Sequence, residues 1–345
     1  MTTNRTARLG VAAAALLCVA GVTFLGCSEK GGAGGEWPVL PIQISCFASA
    51  GGDTDLVNRT IAKAIEPHLG GLRVDVVNRT GGQGGVALNY VWSQPHEGYH
   101  WGGFSESILP ASVMGGHHTS AKDWTYFIVA GAPGVISVGA DSPYKTLGEL
   151  VAAAKAEPKK ISAAASVTGG CWHTKLMALE KAAGVSFNFI PHKGSNPSQL
   201  AVLTGEVAVV LTSISEQAEL IRDGKLVPLA MVEEDPYEFP GRGTIPAAAA
   251  SYPDVSKVPV CQWLGFALPK DTPPAVLARI TSAFEKAVQS KEIKDMAATR
   301  MLNLRGLHGD KANELALSME RAWTWMLFDM GIAKKSPEEF GISRN

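Results

Sequence analysis

From residue 37 onward, short apolar runs alternate with longer stretches whose apolar positions recur every three to four residues. The run 41–47 (PIQISCF) predicts a strand and 53–69 a helix. The same pairing predicts a strand at 72–78 with a helix at 86–93, and a strand at 99–104. Residues 126–138 hold two apolar runs broken by Gly131-Ala132-Pro133-Gly134. Further strand and helix pairs are expected at 160–165 and 174–183, 185–190 and 197–203, and 207–211 and 215–222. Thr146 and Glu149 have capping-box spacing at the start of a helix over 146–156, and Gly224 closes the helix at 215–222. Strands at 226–232 and 260–268 and helices at 273–290, 291–300 and 311–330 complete the pattern. Repeated strand–helix units predict an α/β fold with a mainly parallel sheet and helices on both faces. Ligands in such folds bind beyond the carboxyl ends of strands. The loops that follow strands are therefore the candidate sites.

The first 27 residues follow a different pattern. Arg5 and Arg8 precede an apolar run, 9–26, that carries no charge. That order is an export signal; the competing reading is a membrane anchor, since about 18 apolar residues nearly span a bilayer. Phe24-Leu25-Gly26-Cys27 resembles a bacterial lipobox, in which a small residue precedes a lipid-modified cysteine, although Phe24 stands where Leu is preferred. Two fates stay open for the signal: lipidation of Cys27 or simple cleavage. Residues 28–36 (SEKGGAGGE) are expected to be a flexible tether. The implied location is periplasmic or extracytoplasmic. Cys46, Cys171 and Cys261 then remain, three small side chains expected to be mostly buried. An exported chain can form one disulfide among them, which the sequence does not assign, and their spacing fits no zinc pattern.

Charge narrows the classes further. Lys and Arg number 31 against 32 Asp and Glu, and the chain is 46% apolar. Disorder is excluded, and nucleic acid is not an expected partner. Removing residues 1–27 leaves 29 basic and 32 acidic side chains, a net charge of −3. Glycine stands at 37 of 345 residues, with doublets gathered near predicted strand ends.

Several motifs fail on context. His96-Glu97-Gly98-Tyr99-His100 spells H-E-x-x-H, but Pro95 and Gly98 make it a turn rather than the helix a zinc protease needs. No metal or other cofactor is expected. Gly82-x-Gly84-x-x-Ala87 looks like a dinucleotide fingerprint but lies in the second strand–helix unit without an acidic partner. As a loop that presents backbone N–H groups to an anion it is credible. Ser142-Pro143-Tyr144-Lys145 matches S-x-x-K without its companion motifs. What remains are loops rich in Gly, Ser and Thr: 48–55 (ASAGGDTD), 102–107 (GGFSES), 166–173 (SVTGGCWH) and 192–198 (HKGSNPS). Neutral donors of this kind suit reversible capture of a small anion.

Taken in order, these segments resemble the TctC or Bug-type receptors of tripartite tricarboxylate transporters, over about 37–332. The first strand and loop match on Phe47, Gly51, Gly52, Thr54, Asp55 and Arg59, and VVNRTGGQGGVA matches the family's Asn-Arg-x-Gly-x-Gly-Gly turn. PHEGYH stands where the family has Pro-Asp-Gly-Tyr. Lys193, Gly194 and Ser195 match its Tyr-Lys-Gly-Ser segment, and TGEV and IRDGKL match later turns. The chain departs from the family at Cys46, at His192, at Ala208 and Thr212 where many members have Asp, and at Cys171 and Trp172. These departures are expected to alter the far end of the ligand more than carboxylate capture.

The resemblance implies a type 2 periplasmic binding fold, in which two α/β lobes joined by a hinge close on a ligand in the cleft between them. Lobe 1 would be 37–134 plus 264–345, and lobe 2 135–263. The implied ligand is a small organic carboxylate, the implied partners are membrane permease subunits, and the chain is expected to be a monomer. Ligand-binding positions carried over are Ser49, Ala50, Gly51, Gly52 and Asp55, Ser105, then Thr168, Gly169, Cys171 and His173, and finally Gly194 and Ser195. Asp55 is expected to brace its loop or cap the helix rather than touch the anion. Two other readings remain: a secreted hydrolase using Cys171 and His173, and a ligand sensor with no role in transport.

Overall fold

The computed structural model describes residues 37–258 and 260–344. The signal, Cys27 and the tether lie outside the described residues. The chain first builds β1 (Ile42–Cys46), α1 (Asp53–Ile65), β2 (Val74–Asn78), α2 (Gly85–Trp92), β3 (His100–Ser105) and β4 (Trp124–Gly131). It crosses at residues 132 and 133 into β5 (Gly134–Gly139), α3 (Leu147–Ala156), β6 (Ser162–Ala164) and α4 (Cys171–Ala183). There follow β7 (Asn188–Phe189), α5 (Ser195–Leu203), β8 (Val209–Ser213), α6 (Ile214–Arg222), β9 (Leu226–Met231) and a hairpin of β10 (Tyr237–Phe239) with β11 (Gly243–Ile245). The chain then returns through β12 (Leu264–Pro269), α7 (Pro274–Ala287), α8 (Lys291–Thr299), β13 (Asn303–Leu307) and α9 (Gly309–Asp329). Among the described residues no helix is long and apolar enough to cross a membrane.

Two larger sheets result, ordered β13-β4-β12-β3-β1-β2 and β7-β6-β8-β5-β9. The expected mainly parallel sheet is corrected to two mixed ones. β1 pairs parallel with β2 and β3, and β6 parallel with β7 and β8. β12 runs antiparallel to β3 and β4, and β5 antiparallel to β8 and β9. The reason is the crossing. β5 and β12 each enter a sheet from the other one, so each arrives pointing the opposite way.

Burial explains why these segments hold. Trp101, Phe266 and Phe127 stack across β3, β12 and β4, with ring centroids 4.6 Å and 4.8 Å apart, and Phe284 of α7 meets Phe127 edge-on. All four are fully buried. Gly102 and Gly103, read both as the end of a strand at 99–104 and as the start of a loop at 102–107, lie inside β3. A Cβ at Gly103 would come 2.8 Å from Ile44 and 3.0 Å from Asn58, so the doublet lets α1 and β1 pack close. Closer still, a Cβ at Gly131 would stand 2.2 Å from the Gln262 carbonyl oxygen where the two crossing segments pass. Gln262 also accepts the Ala132 amide at 3.1 Å.

Candidate ligand-binding site

Between the two sheets lies a cavity of about 540 Å³. Its walls come from the segments after β1, β2 and β3 on one side and after β6, β7 and β8 on the other. Four helices begin at it. The N-cap residues of α1, α2, α4 and α5 are Gly52, Gly84, Gly170 and Gly194, and all four line the cavity. None of these helices has a side-chain cap. Elsewhere α3, α6 and α8 are capped by the hydroxyls of Thr146, Ser213 and Ser290, while α7 and α9 also start without a side-chain cap, away from the cavity. An uncapped first turn leaves backbone N–H groups without an intrahelical acceptor and carries the positive end of the helix dipole. Four such turns around one space are suited to an anion.

The loops are held by interactions behind the cavity wall. Asp55 does not line the cavity. Its carboxylate accepts from the Gly51 amide at 3.0 Å, from Arg59 at 3.0 Å and from the Asn78 amide group at 2.7 Å. Burial alone would raise its pKa, but these three donors outweigh burial and hold it below the usual range. His173 likewise sits behind the wall. Its Nδ1 accepts the Gly169 amide at 2.9 Å, its ring stacks on Phe189 at 3.8 Å, and burial lowers its pKa to about 4. Ser166, in a left-handed conformation at φ 62°, donates its amide to Ser198 Oγ at 3.0 Å, which ties the end of β6 to α5.

Of the positions carried over from sequence, Ser49, Ala50, Gly52, Ser105, Thr168, Gly169, Cys171, Gly194 and Ser195 line the cavity, and Gly51, Asp55 and His173 do not. Cys171 and His173 belong to the first turn of α4 rather than to the preceding loop. His192, Ala208 and Thr212, expected to shape the far end of a ligand, lie outside the lining, whereas Trp172 is part of it. Thr212 is instead bonded by Gln199 and Gln217 inside the second half of the molecule. Sequence reasoning missed Asp53, Glu106, Glu216 and Gln262. The Thr80–Gly84 turn, read from sequence as a loop able to present N–H groups to an anion but not carried over among the binding positions, also lines the cavity. Only Gly82 and Gly84 of that turn gave a signal, as donors to an anion.

Contacts bridge the cavity. Gln83 Nε2 donates to the Thr168 carbonyl at 3.3 Å. Asp53 pairs with Arg300 at 2.7 Å and accepts from the hydroxyl of Ser215 at the start of α6, with Ser213 Oγ 3.5 Å away. At the crossing, Glu106 accepts the Trp263 amide and the Ser107 hydroxyl, both at 2.9 Å, and burial pushes its pKa up to about 7. Lys175 and Glu233 pair at 2.9 Å beside it.

The other candidate chemistries separate in space. His96 sits in the turn, bonded to Asp271 at 2.6 Å, and His100 opens β3. Ser142 Oγ accepts the Tyr144 amide while Lys145 Nζ reaches the Ala140 carbonyl. Thr146 caps the Glu149 amide, but the Glu149 carboxylate turns to the Lys145 amide, so the box is half-formed. Cys46, Cys171 and Cys261 are free thiols, the first two buried and Cys261 partly so.

Comparison with known proteins identifies the family and the fold. Residues 57–317 match the model of the TctC family, described as the tripartite tricarboxylate transporter family receptor. Protein BugT of Bordetella pertussis is 28% identical over 271 residues, covering 76% of this chain and 81% of BugT. A TctC solute-binding protein from Polaromonas, solved without ligand, is 26% identical with a TM-score of 0.68, covering 85% of this chain and all of that one. An R. palustris protein solved with adipate shares the fold at a TM-score of 0.75 and 21% identity, covering 86% of this chain and 99% of that one. The fold is that of periplasmic binding proteins, and the family is one of solute-binding receptors, which implies an extracytoplasmic location. With the family model matched over three quarters of its length, the chain belongs to the TctC family of tripartite tricarboxylate transporter receptors.

Proposed function

We propose that this receptor binds a small organic carboxylate in the cavity between its sheets and delivers it to the membrane permease subunits of a tripartite transporter. The observation that carries the reading is the set of four glycine-capped helix starts, α1, α2, α4 and α5, that meet at one cavity with no side chain capping them. Backbone donors capture a carboxylate without a fixed counter-charge, which keeps binding reversible. The adipate in the R. palustris neighbour supports the ligand class. Ser49, Ala50, Gly52, Ser105, Thr168, Gly169, Gly194 and Ser195 are the contact positions, with Gly51, Asp55 and His173 acting through the loops they brace. Residues 37–134 with 264–345 form one lobe and 135–263 the other, and they close by hinge rotation at the crossing segments. The chain acts as a monomer, without catalysis, exported by its first 27 residues and held by a lipidated Cys27 or released by cleavage.

The hydrolase reading loses its nucleophile. Cys171 is buried, burial pushes its thiol well above the ordinary value, and His173 Nδ1 is taken by Gly169. The test is calorimetry on unfolded and refolded protein, which removes carried-over ligand, against a broad panel of carboxylates. Saturable binding of at least one carboxylate is expected. Failure of every acid to bind a refolded protein with native circular dichroism overturns the assignment.

A further inference from the structure

The cavity wall carries an unbalanced charge. Its ionisable lining is three carboxyls, Asp53, Glu106 and Glu216, and one amine, Lys193. Asp53 is matched by Arg300 at 2.7 Å. Glu106 is 1% exposed and both of its oxygens are engaged, by the Trp263 amide and the Ser107 hydroxyl, so a ligand does not reach it. Glu216 differs on both counts. It stands in the first turn of α6, lines the cavity and keeps part of its surface accessible. Among the described residues it has no ion-pair partner. Lys175 serves Glu233 instead.

What Glu216 does have is hydroxyls. Ser213 Oγ donates to its Oε2 at 2.9 Å, and the Ser195 side chain hydrogen-bonds it from the start of α5. Hydroxyls satisfy geometry but bring no charge. Burial first, and the charge of Asp53 second, push the Glu216 carboxyl up from its usual range. A carboxylate so placed must be met by a proton or by a cation, and its remaining accessible side is at the cavity. A plain dicarboxylate would bring more negative charge to a wall where the Glu216 carboxyl has no counter-charge of its own. An ammonium group would complete that wall through charge-assisted hydrogen bonds.

We infer that Glu216 is a specificity-determining residue of this site and receives an ammonium group, so that the ligand is an amino-bearing carboxylate. The inference rests on the cavity being the carboxylate site proposed above. Matched acids that differ only by an amino group isolate it: succinate and aspartate, glutarate and glutamate, adipate and 2-aminoadipate. Each is titrated into refolded protein by calorimetry at pH 7.5, with wild type and Glu216→Gln. In at least one pair the amino member is expected to bind about tenfold tighter or more, the discrimination of a site built for a charged hydrogen bond. Glu216→Gln, which keeps length and hydrogen bonding to Ser213, is expected to erase that preference while the protein still takes up a carboxylate. Glu216→Asp, should the Gln variant not fold, is expected to reduce the preference. Equal or tighter binding of every amino-free member overturns the inference and leaves the receptor assignment standing. So does an amino preference that the variants leave unchanged. Binding of no carboxylate at all, in these pairs or the broad panel, removes the receptor assignment and this inference with it.

Discussion

Gly52 contributes by what it lacks. Its φ of −76° is open to any residue, and a Cβ there would meet only the Ser49 carbonyl oxygen, at 3.6 Å. Serine at this position would cap α1 with its own hydroxyl and occupy a backbone donor meant for the ligand. Gly52→Ser is therefore expected to hold or raise stability by a few tenths of a kcal/mol while weakening carboxylate binding; thermal melts and calorimetry on the same samples read the two effects separately. Weakened binding with a lowered melting temperature would point to misfolding instead. Glu320 on α9 acts on stability. It is 2% exposed, accepts the Ala121 amide at 2.7 Å, and burial pushes its pKa from 4.5 up to about 8. Between those two values the folded protein holds a proton that the unfolded chain has released. Stability is then greatest on the acid side of this window and falls as pH rises, by up to about 1.4 kcal/mol per pH unit. Glu106, at about 7, adds to the lower part of the same slope. Urea unfolding at pH 5 and pH 8.5 should show a smaller loss in Glu320→Gln than in wild type; parallel slopes would discard the assignment. At this scale the sequence was legible where donors cluster in one loop, as at Ser49, Ala50 and Gly52. Asp53, Glu106 and Glu216 were not legible as a group, because 163 positions separate the first from the last and only the fold brings their segments to one cavity.

The alternation of elements was readable because each helix shows a three-to-four-residue apolar period and each central strand a short apolar run. The exceptions share a cause. β13 is an edge strand whose residues stay exposed or half-buried, and the β10–β11 hairpin has three residues a side, so neither carries a periodic signal. The expected strand at 260–268 starts four residues late, since Val260 and Trp263 are apolar for a different reason: they are buried at the crossing. The expected helix at 174–183 starts three residues early, because Gly170 rather than a polar residue caps it. Between elements, the aromatic stack carries the first sheet. Phe266 lies directly opposite Phe127 and touches Trp101 and Phe284 as well. Phe266→Ala is expected to cost about 3–5 kcal/mol, read as a fall in the urea midpoint with unchanged slope. A loss under about 1 kcal/mol would mean that the neighbours close the gap.

For the whole molecule, sequence pattern alone gave the α/β class but not which strands change sheets. That choice depends on where the chain crosses, and the crossing at 132–133 looks locally like any turn. Two bridges then span the cavity, Gln83 to Thr168 and Asp53 to Ser215. If these mark the closed arrangement, ligand-free protein should scatter X-rays as a larger particle than ligand-bound protein; equal radii of gyration would rule out hinge closure. Two glycines, Gly131 at the crossing and Gly265 just after it in β12, would constrain such a motion. A Cβ at Gly131 would stand 2.2 Å from the Gln262 oxygen, and one at Gly265 would stand 2.0 Å from the Phe127 oxygen. Neighbouring backbones are thus in contact with no side chain between them. Sliding one strand past its neighbour would drive these peptide groups into each other, whereas a twist about the crossing keeps their spacing. If the two halves close on a ligand, such a joint would act as a torsion pivot with little lateral play, and ligands of different length would be accommodated by a change of angle rather than by an offset of one half against the other.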